Sequence, residues 1–75
     1  MNQTFKLTIL SAFEREPVAE EEIKCGDIHD AVLTARDYFH KYGCTHKDGY
    51  YFELSTGGKL AYSSIMGYMG EFDRI

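Results

Sequence analysis

The sequence predicts a small α+β domain with the order β-β-α-β-β: an antiparallel sheet, one helix on one of its faces and a short apolar C-terminal tail. Three observations predict this fold. The chain opens with an alternating apolar pattern, carries one amphipathic helical stripe in its middle, and has two strand-like runs around a glycine pair. Its 75 residues predict a single domain over 1–75 with room for one helix layer on one sheet.

The first predicted strand covers residues 4–13, TFKLTILSAF. Apolar side chains alternate with Lys6 and Thr8, which is the period of a strand with one buried face. The apolar face is Phe5, Leu7, Ile9 and Phe13. Residues 14–17, EREP, are expected to form the turn between the first and second strands, because proline and its polar neighbours favour turns.

The second predicted strand covers residues 18–25, VAEEEIKC. Glu20, Glu22 and Lys24 share one face, a pattern typical of an exposed edge strand that is protected by charge. A short helix is the alternative, because Glu and Ala favour helix.

The helix is predicted from Asp27 to Tyr42. Asp27 suits the N-cap, Asp30 adds a carboxylate to the first turn, and Gly43 suits the left-handed position after the last turn. Its apolar residues recur at spacings of three and four and form one stripe. The stripe is Ile28, Ala31, Val32, Ala35, Phe39 and Tyr42.

A strand hairpin is predicted for residues 49–55 and 59–64, which flank Thr56-Gly57-Gly58. The apolar tail, 65–75, has three open readings: a frayed helix, a fifth short strand or an irregular arm. Glycines at 67 and 70 weaken the helical reading.

The register of this hairpin depends on the length of its loop. A three-residue loop pairs Leu54 with Leu60 and Phe52 with Tyr62, and it is preferred because it collects more apolar area on one face. A two-residue loop would pair Leu54 with Ala61 instead.

Together these elements predict a core on the helix side of the sheet. The expected core is Phe5, Leu7, Ile9, Ile23, Ile28, Val32, Ala35, Phe39, Phe52 and Leu54. The far face is expected to stay partly open and to carry Lys6, Thr8, Tyr51 and Glu53.

Cysteines and histidines fall into two groups at opposite ends of the helix. Cys25 and His29 lie at its start, and His40, Cys44 and His46 at its end, about 20 Å away at roughly 1.5 Å per residue. The two groups cannot share one metal ion, and neither supplies the four ligands of structural zinc. We expect no metal and no disulfide, with both cysteines free in a reducing compartment.

No catalytic signature emerges from the chain, and we expect neither an enzyme nor a bound cofactor. Cys44 near His46 lacks a third orienting group, and Ser63-Ser64 lacks a glycine elbow. Gly57-Gly58-Lys59 is not followed by the helix that a phosphate-binding loop requires.

The charge of the chain also restricts its function. Twelve acids against eight bases give a net charge of −4, which argues against a basic nucleic-acid-binding surface. The N-terminus has no export signal, and no stretch approaches the roughly 20 apolar residues of a membrane span. A cytoplasmic location without membrane contact is the expectation.

Two features point to a protein partner. Seven acids lie between Glu14 and Asp30, and such an acidic run can occupy a basic channel on another protein. The tyrosines exceed what the core can absorb, and tyrosine is enriched at interfaces. The predicted partner-binding residues are Glu14, Glu16, Glu20, Glu22, Tyr51, Tyr62 and Tyr68. A solvated protective edge and tyrosines that cap the core are the plainer alternatives.

In size and layout, residues 5–64 resemble the small phage-encoded anti-CRISPR proteins, some of which are β-β-α-β-β domains. The segments that carry the resemblance are the Glu-rich second strand, the helix IHDAVLTARDYF and the hairpin YYFELSTGGKLAYS. The resemblance implies an acidic inhibitor that docks on a CRISPR effector complex in the host cytoplasm and blocks target binding. It transfers no functional residue. The alternatives are a single-stranded nucleic-acid binder with an aromatic sheet face and a small homodimeric regulatory protein.

Overall fold

A computed structural model of the protein describes residues 3–68. It confirms the α+β class and the β-β-α-β-β order, and it adds a short fifth strand. The elements are β1 Gln3–Ser11, β2 Ala19–Cys25, α1 Ile28–Lys41, β3 Tyr50–Thr56, β4 Lys59–Ser63 and β5 Gly67–Tyr68.

The five strands form one antiparallel sheet in the order β2-β1-β3-β4-β5. β1 pairs with β2 on one side and with β3 on the other. β2 and β3 lie on either side of β1 and both run opposite to it, so they are parallel to each other. The chain must therefore cross over β1 to connect them, and α1 makes this crossover. The predicted Glu-rich strand is confirmed as β2, and it lies at one edge of the sheet.

The core lies between the sheet and α1. Phe5, Leu7 and Ile9 alternate along β1 and are fully buried. Nine of the ten predicted core residues are buried, and Ile28 is half-buried against them. Buried side chains of this kind each stabilise the fold by about 1.5–3 kcal/mol. The two-residue period of β1 and the stripe of α1 therefore face each other, as predicted.

Both ends of α1 follow the predicted capping chemistry. The Asp27 carboxylate accepts a hydrogen bond from the Asp30 backbone N–H at 2.9 Å. Tyr42 closes the last turn, and Gly43 follows with a φ of 75°. The left-handed conformation is one that glycine adopts without strain, which ends the helix here.

α1 crosses the sheet obliquely from one edge to the other. His29 in its first turn is hydrogen-bonded to Tyr68 in β5, at one edge. Tyr42 after its last turn donates a hydrogen bond to Glu21 in β2, at the opposite edge. The body of the helix packs on β2, β1 and β3.

The predicted register of the β3–β4 hairpin is wrong. Gly57 and Gly58 both have positive φ and form a two-residue turn, so that Thr56 pairs with Lys59. A β-bulge at Ala61 then shifts the ladder, and Leu54 pairs with Tyr62 rather than with Leu60 or Ala61. The extra residue in β4 turns the Tyr62 side chain to the helix side of the sheet.

The predicted first strand is too long at its C-terminal end. β1 stops at Ser11, whose side-chain oxygen accepts a hydrogen bond from the Phe13 backbone N–H at 3.1 Å. This local turn takes Phe13 out of the sheet, so the prediction that Phe13 shares the apolar face of the strand is wrong: its side chain is 84% exposed. Of the three readings of the tail, the fifth short strand is confirmed at Gly67–Tyr68; the tail beyond 68 lies outside the described residues.

Gly49 is required where the chain enters β3. Its φ is 89°, its carbonyl accepts from the Ala12 backbone N–H at 2.8 Å, and an added Cβ would lie 2.5 Å from the Phe13 ring. We expect Gly49→Ala to lower the free energy of unfolding by about 1–2 kcal/mol, because left-handed backbone is strained for alanine. Urea unfolding followed by circular dichroism measures the change.

Gly26→Ala is the matched control for this substitution. Gly26 lies outside the left-handed region, and an added Cβ there meets no atom within 4 Å. Its effect should stay within about 0.5 kcal/mol. Equal losses of stability in the two variants would contradict the role given to Gly49.

Candidate binding surfaces

The negative charge of the chain is concentrated at one edge of the sheet. We call the β1–β2 connection and β2 the acidic edge; its carboxylates are Glu14, Glu16, Glu20, Glu21 and Glu22. Residues 14–22 hold five carboxylates and one arginine, a net −4 that equals the charge of the whole chain. The rest of the molecule is therefore balanced in charge.

Alternation along β2 divides these carboxylates between the two faces of the sheet. Glu20 and Glu22 lie on the face away from α1, and Glu21 lies on the α1 side, where it accepts from Tyr42. Glu20 pairs with Lys6 at 2.9 Å, and Glu22 with Lys24 at 3.9 Å. Exposed ion pairs contribute only about 0–1 kcal/mol, so both carboxylates stay available to a stronger partner.

Glu14 and Glu16 belong to the exposed connection between β1 and β2. The chain there has left the sheet, and both side chains lie on the protein surface. Together with the β2 carboxylates they make the acidic edge continuous along the chain.

The face of β2, β1 and β3 opposite α1 is here called the open face. Cross-strand pairing places Thr8 between Glu20 and Glu53, and Leu10 next to Tyr51. Lys6, Thr8, Tyr51 and Glu53 therefore share this face, as predicted. The open face adjoins the acidic edge directly, since both include the outward side of β2.

The predicted tyrosines separate by face. Tyr51 is on the open face, whereas Tyr62 and Tyr68 are on the α1 side and pack against each other with ring centroids 4.9 Å apart. Tyr62 also packs on Phe52. An aromatic surface made of all three rings is therefore not formed, because the bulge in β4 sets the side on which Tyr62 and its β5 neighbour lie.

A groove of about 520 Å³ runs between α1 and the β4–β5 side of the sheet. It exists because α1 packs mainly on β2, β1 and β3 and meets β5 at the His29–Tyr68 hydrogen bond, which leaves space in front of β4 and β5. Its lining residues are His29, Val32, Leu33, Arg36, His46, Phe52, Tyr62, Ser64 and Tyr68. Sequence reasoning did not find this groove. The available signal was a second stripe on the helix, His29, Leu33 and Arg36, beside the core stripe.

Hydrogen bonds fix the polar side chains of the groove. The Tyr68 hydroxyl lies 2.9 Å from His29 Nδ1, and Ser64 Oγ lies 2.9 Å from His46 Nε2. Ser64 Oγ also accepts from the Phe52 backbone N–H at 3.0 Å. Burial, aided by the nearby Tyr62 and Asp27, raises the pKa of Tyr68, so its phenol stays protonated.

The groove and its surroundings offer little nucleophilic chemistry. Ser64 and His46 are in contact, but within residues 3–68 no third group orients the imidazole. Cys44 is buried, and burial raises the pKa of its thiol, which disfavours the reactive thiolate. Among the described residues, no three His, Cys, Asp or Glu side chains are grouped as metal ligands would be.

Comparison of the chain with protein families, with curated proteins and with solved structures found no match in any of the three. Over residues 3–68, no helix combines the length and the apolar character that a membrane crossing requires. What the protein binds must therefore be inferred from the acidic edge, the open face and the groove.

The hydrogen bond from Tyr42 to Glu21 predicts a loss of stability at alkaline pH. This bond raises the pKa of Tyr42 in the folded protein above its unfolded value, near 10. Its contribution is complete below the unfolded pKa and is lost as the pH rises through the folded pKa. Above about pH 10, the wild type should therefore lose stability more steeply than Tyr42→Phe in urea unfolding.

Tyr51→Phe is the matched control, because the Tyr51 hydroxyl has no hydrogen-bond partner within the described residues. Its alkaline slope should equal that of the wild type. If Tyr42→Phe shows the wild-type slope as well, the bond to Glu21 does not stabilise the fold.

The two free cysteines should differ in reactivity. Burial is the main cause that raises the pKa of both thiols, but Cys25 is half-buried and Cys44 is buried. Iodoacetamide should therefore modify Cys25 first in the native protein, and Cys44 only as fast as the core opens. Timed quenching with peptide mass spectrometry measures both rates. In denaturant the two rates should converge; faster native labelling of Cys44 would contradict its placement in the core.

Proposed function

We propose that the protein is a small inhibitor that binds a basic, nucleic-acid-handling protein through its acidic edge. The observation that carries this proposal is the charge distribution: a nine-residue segment holds a charge equal to the net charge of the chain. Concentrated charge of one sign steers a partner of opposite charge and orients it on approach. Binding, rather than catalysis, is the activity that these surfaces favour.

The open face is expected to extend this interface. A stable protein–protein contact buries about 800 Å² on each partner, with roughly 20–30 residues a side. The acidic edge alone is too small for that, and the adjoining open face adds Lys6, Thr8 and the half-buried pair Leu10 and Tyr51. Tyrosine is enriched at such interfaces and among the residues that contribute most to binding.

This proposal revises the set of partner-binding residues. Glu14, Glu16, Glu20, Glu22 and Tyr51 remain together in it. Tyr62 and Tyr68 line the groove on the other side of the sheet, so a partner that covers the open face would not reach them.

The partner class follows from the chemistry of the acidic edge. Proteins that bind nucleic acid present rows of Lys and Arg to phosphates, and a row of carboxylates can take the place of those phosphates. The anti-CRISPR resemblance narrows this class to CRISPR effector complexes, with the inhibitor acting in the cytoplasm of the host cell and blocking access to target DNA.

The test titrates the protein into purified, guide-loaded CRISPR effector complexes of several types and measures the binding of fluorescent target DNA by anisotropy. We expect at least one complex to lose target binding, and inhibition to weaken at higher salt because exposed charges are screened. Glu16→Lys should raise the half-inhibitory concentration several-fold, since it reverses a charge on the acidic edge.

Asp37→Lys is the matched control: it makes the same charge change at an exposed position on α1, outside the acidic edge and the open face. It should inhibit as the wild type does. Target binding that is unaffected in every complex would count against the CRISPR assignment. Equal weakening by the two variants would count against the acidic edge as the interface.

A further inference from the structure

The groove between α1 and β4–β5 differs in charge from the rest of this acidic chain. Among residues 3–68, its lining includes Arg36, His29 and His46, and no carboxylate. Arg36 forms no ion pair within the described residues, where the ion pairs join Lys6 to Glu20 and Lys24 to Glu22. The five N–H donors of its guanidinium are therefore available to a ligand.

Hydrogen bonds hold both imidazoles of the groove in place. The Tyr68 hydroxyl lies 2.9 Å from His29 Nδ1, and Nε2 of that ring has no hydrogen-bond partner within residues 3–68. Ser64 Oγ accepts from the Phe52 backbone N–H and lies 2.9 Å from His46 Nε2, and Nδ1 of that ring has no hydrogen-bond partner within residues 3–68. The guanidinium of Arg36 supplies N–H donors, and each imidazole keeps one ring nitrogen for a ligand, a combination that suits an anion.

The remaining lining of the groove is apolar and aromatic. Leu33 is 57% exposed on α1, and Tyr62 and Tyr68 face it from the sheet. The volume of about 520 Å³ lies within the range of small-molecule sites, roughly 300–1,000 Å³. Rings of this kind stack on the planar ring of a ligand.

We propose that this groove binds a small molecule that joins a phosphate monoester to a planar ring through a short linker, as a nucleoside monophosphate does. The phosphate contacts Arg36 and His46, which line the same end of the groove, and the ring packs between Leu33 and the tyrosines. A phosphate is favoured over a carboxylate because its third oxygen and larger negative charge match the five N–H donors of the guanidinium.

This proposal rests on different residues from those of the proposed inhibitor function. The acidic edge is formed by β2 and the groove by β4 and β5, which are at opposite edges of the sheet. A ligand in the groove leaves the acidic edge and the open face free.

The test uses AMP as the probe, with adenosine and inorganic phosphate as its two separate halves. Each is titrated into ¹⁵N-labelled full-length protein, and amide shifts are followed by NMR. We expect saturable AMP binding with shifts around His29, Leu33, Arg36 and Tyr68, and weaker binding of either half. Arg36→Gln should weaken AMP binding by about tenfold or more, since a charged hydrogen bond is lost, and should leave adenosine binding unchanged.

Lys41→Gln is the matched control, because it removes a positive charge from α1 at a residue that lies over the Tyr38 ring, outside the groove. It should bind AMP as the wild type does, and thermal unfolding should show that both variants are folded. Leu33→Ser should weaken AMP and adenosine together and spare phosphate. AMP shifts that cluster elsewhere, AMP binding no tighter than phosphate binding, or equal losses in Arg36→Gln and Lys41→Gln would overturn the proposal.

Discussion

The fold depends on the burial of one alternating row of side chains in β1. Phe5, Leu7 and Ile9 are fully buried beneath α1, and the same strand pairs with β2 on one side and β3 on the other. The β1–β2 hairpin and the β3–β4 hairpin are joined through the pairing of β1 with β3, which makes one sheet of them. A chain this short buries only about 60% of the surface of its unfolded form. Residues 3–68 form one core cluster, and they hold no second one to replace it.

Local patterns in the sequence were sufficient to predict the helix, four of the strands and most of the core residues. The helix could be predicted because its caps and apolar spacing lie within sixteen consecutive residues, Asp27 to Tyr42. The register of the β3–β4 hairpin could not be predicted, because several loop geometries fit the same two glycines. The bulged residue Ala61 then shifts the pairing by one residue and sets the side of the sheet on which Tyr62 lies. The groove was missed for a related reason: it depends on the path of α1 across the sheet, which long-range contacts set.

The acidic edge and the groove differ in the way their charge arises. The acidic edge is visible in the sequence because its carboxylates are neighbours along the chain. The groove takes His29 and Arg36 from α1 and His46 from the following turn, and only folding brings them together. Surfaces of the first kind can be predicted from composition, whereas surfaces of the second kind require the tertiary structure.

The oblique path of α1 has a mechanical consequence. Tyr68 in β5 is hydrogen-bonded to the first turn of α1, and Glu21 in β2 is hydrogen-bonded to its C-terminal end. The helix is therefore fixed at both edges of the sheet. A change in helix tilt must then be felt at both edges. If a ligand in the groove and a partner at the acidic edge each alter that tilt, the binding of one changes the affinity for the other. This change in affinity is the same in both directions.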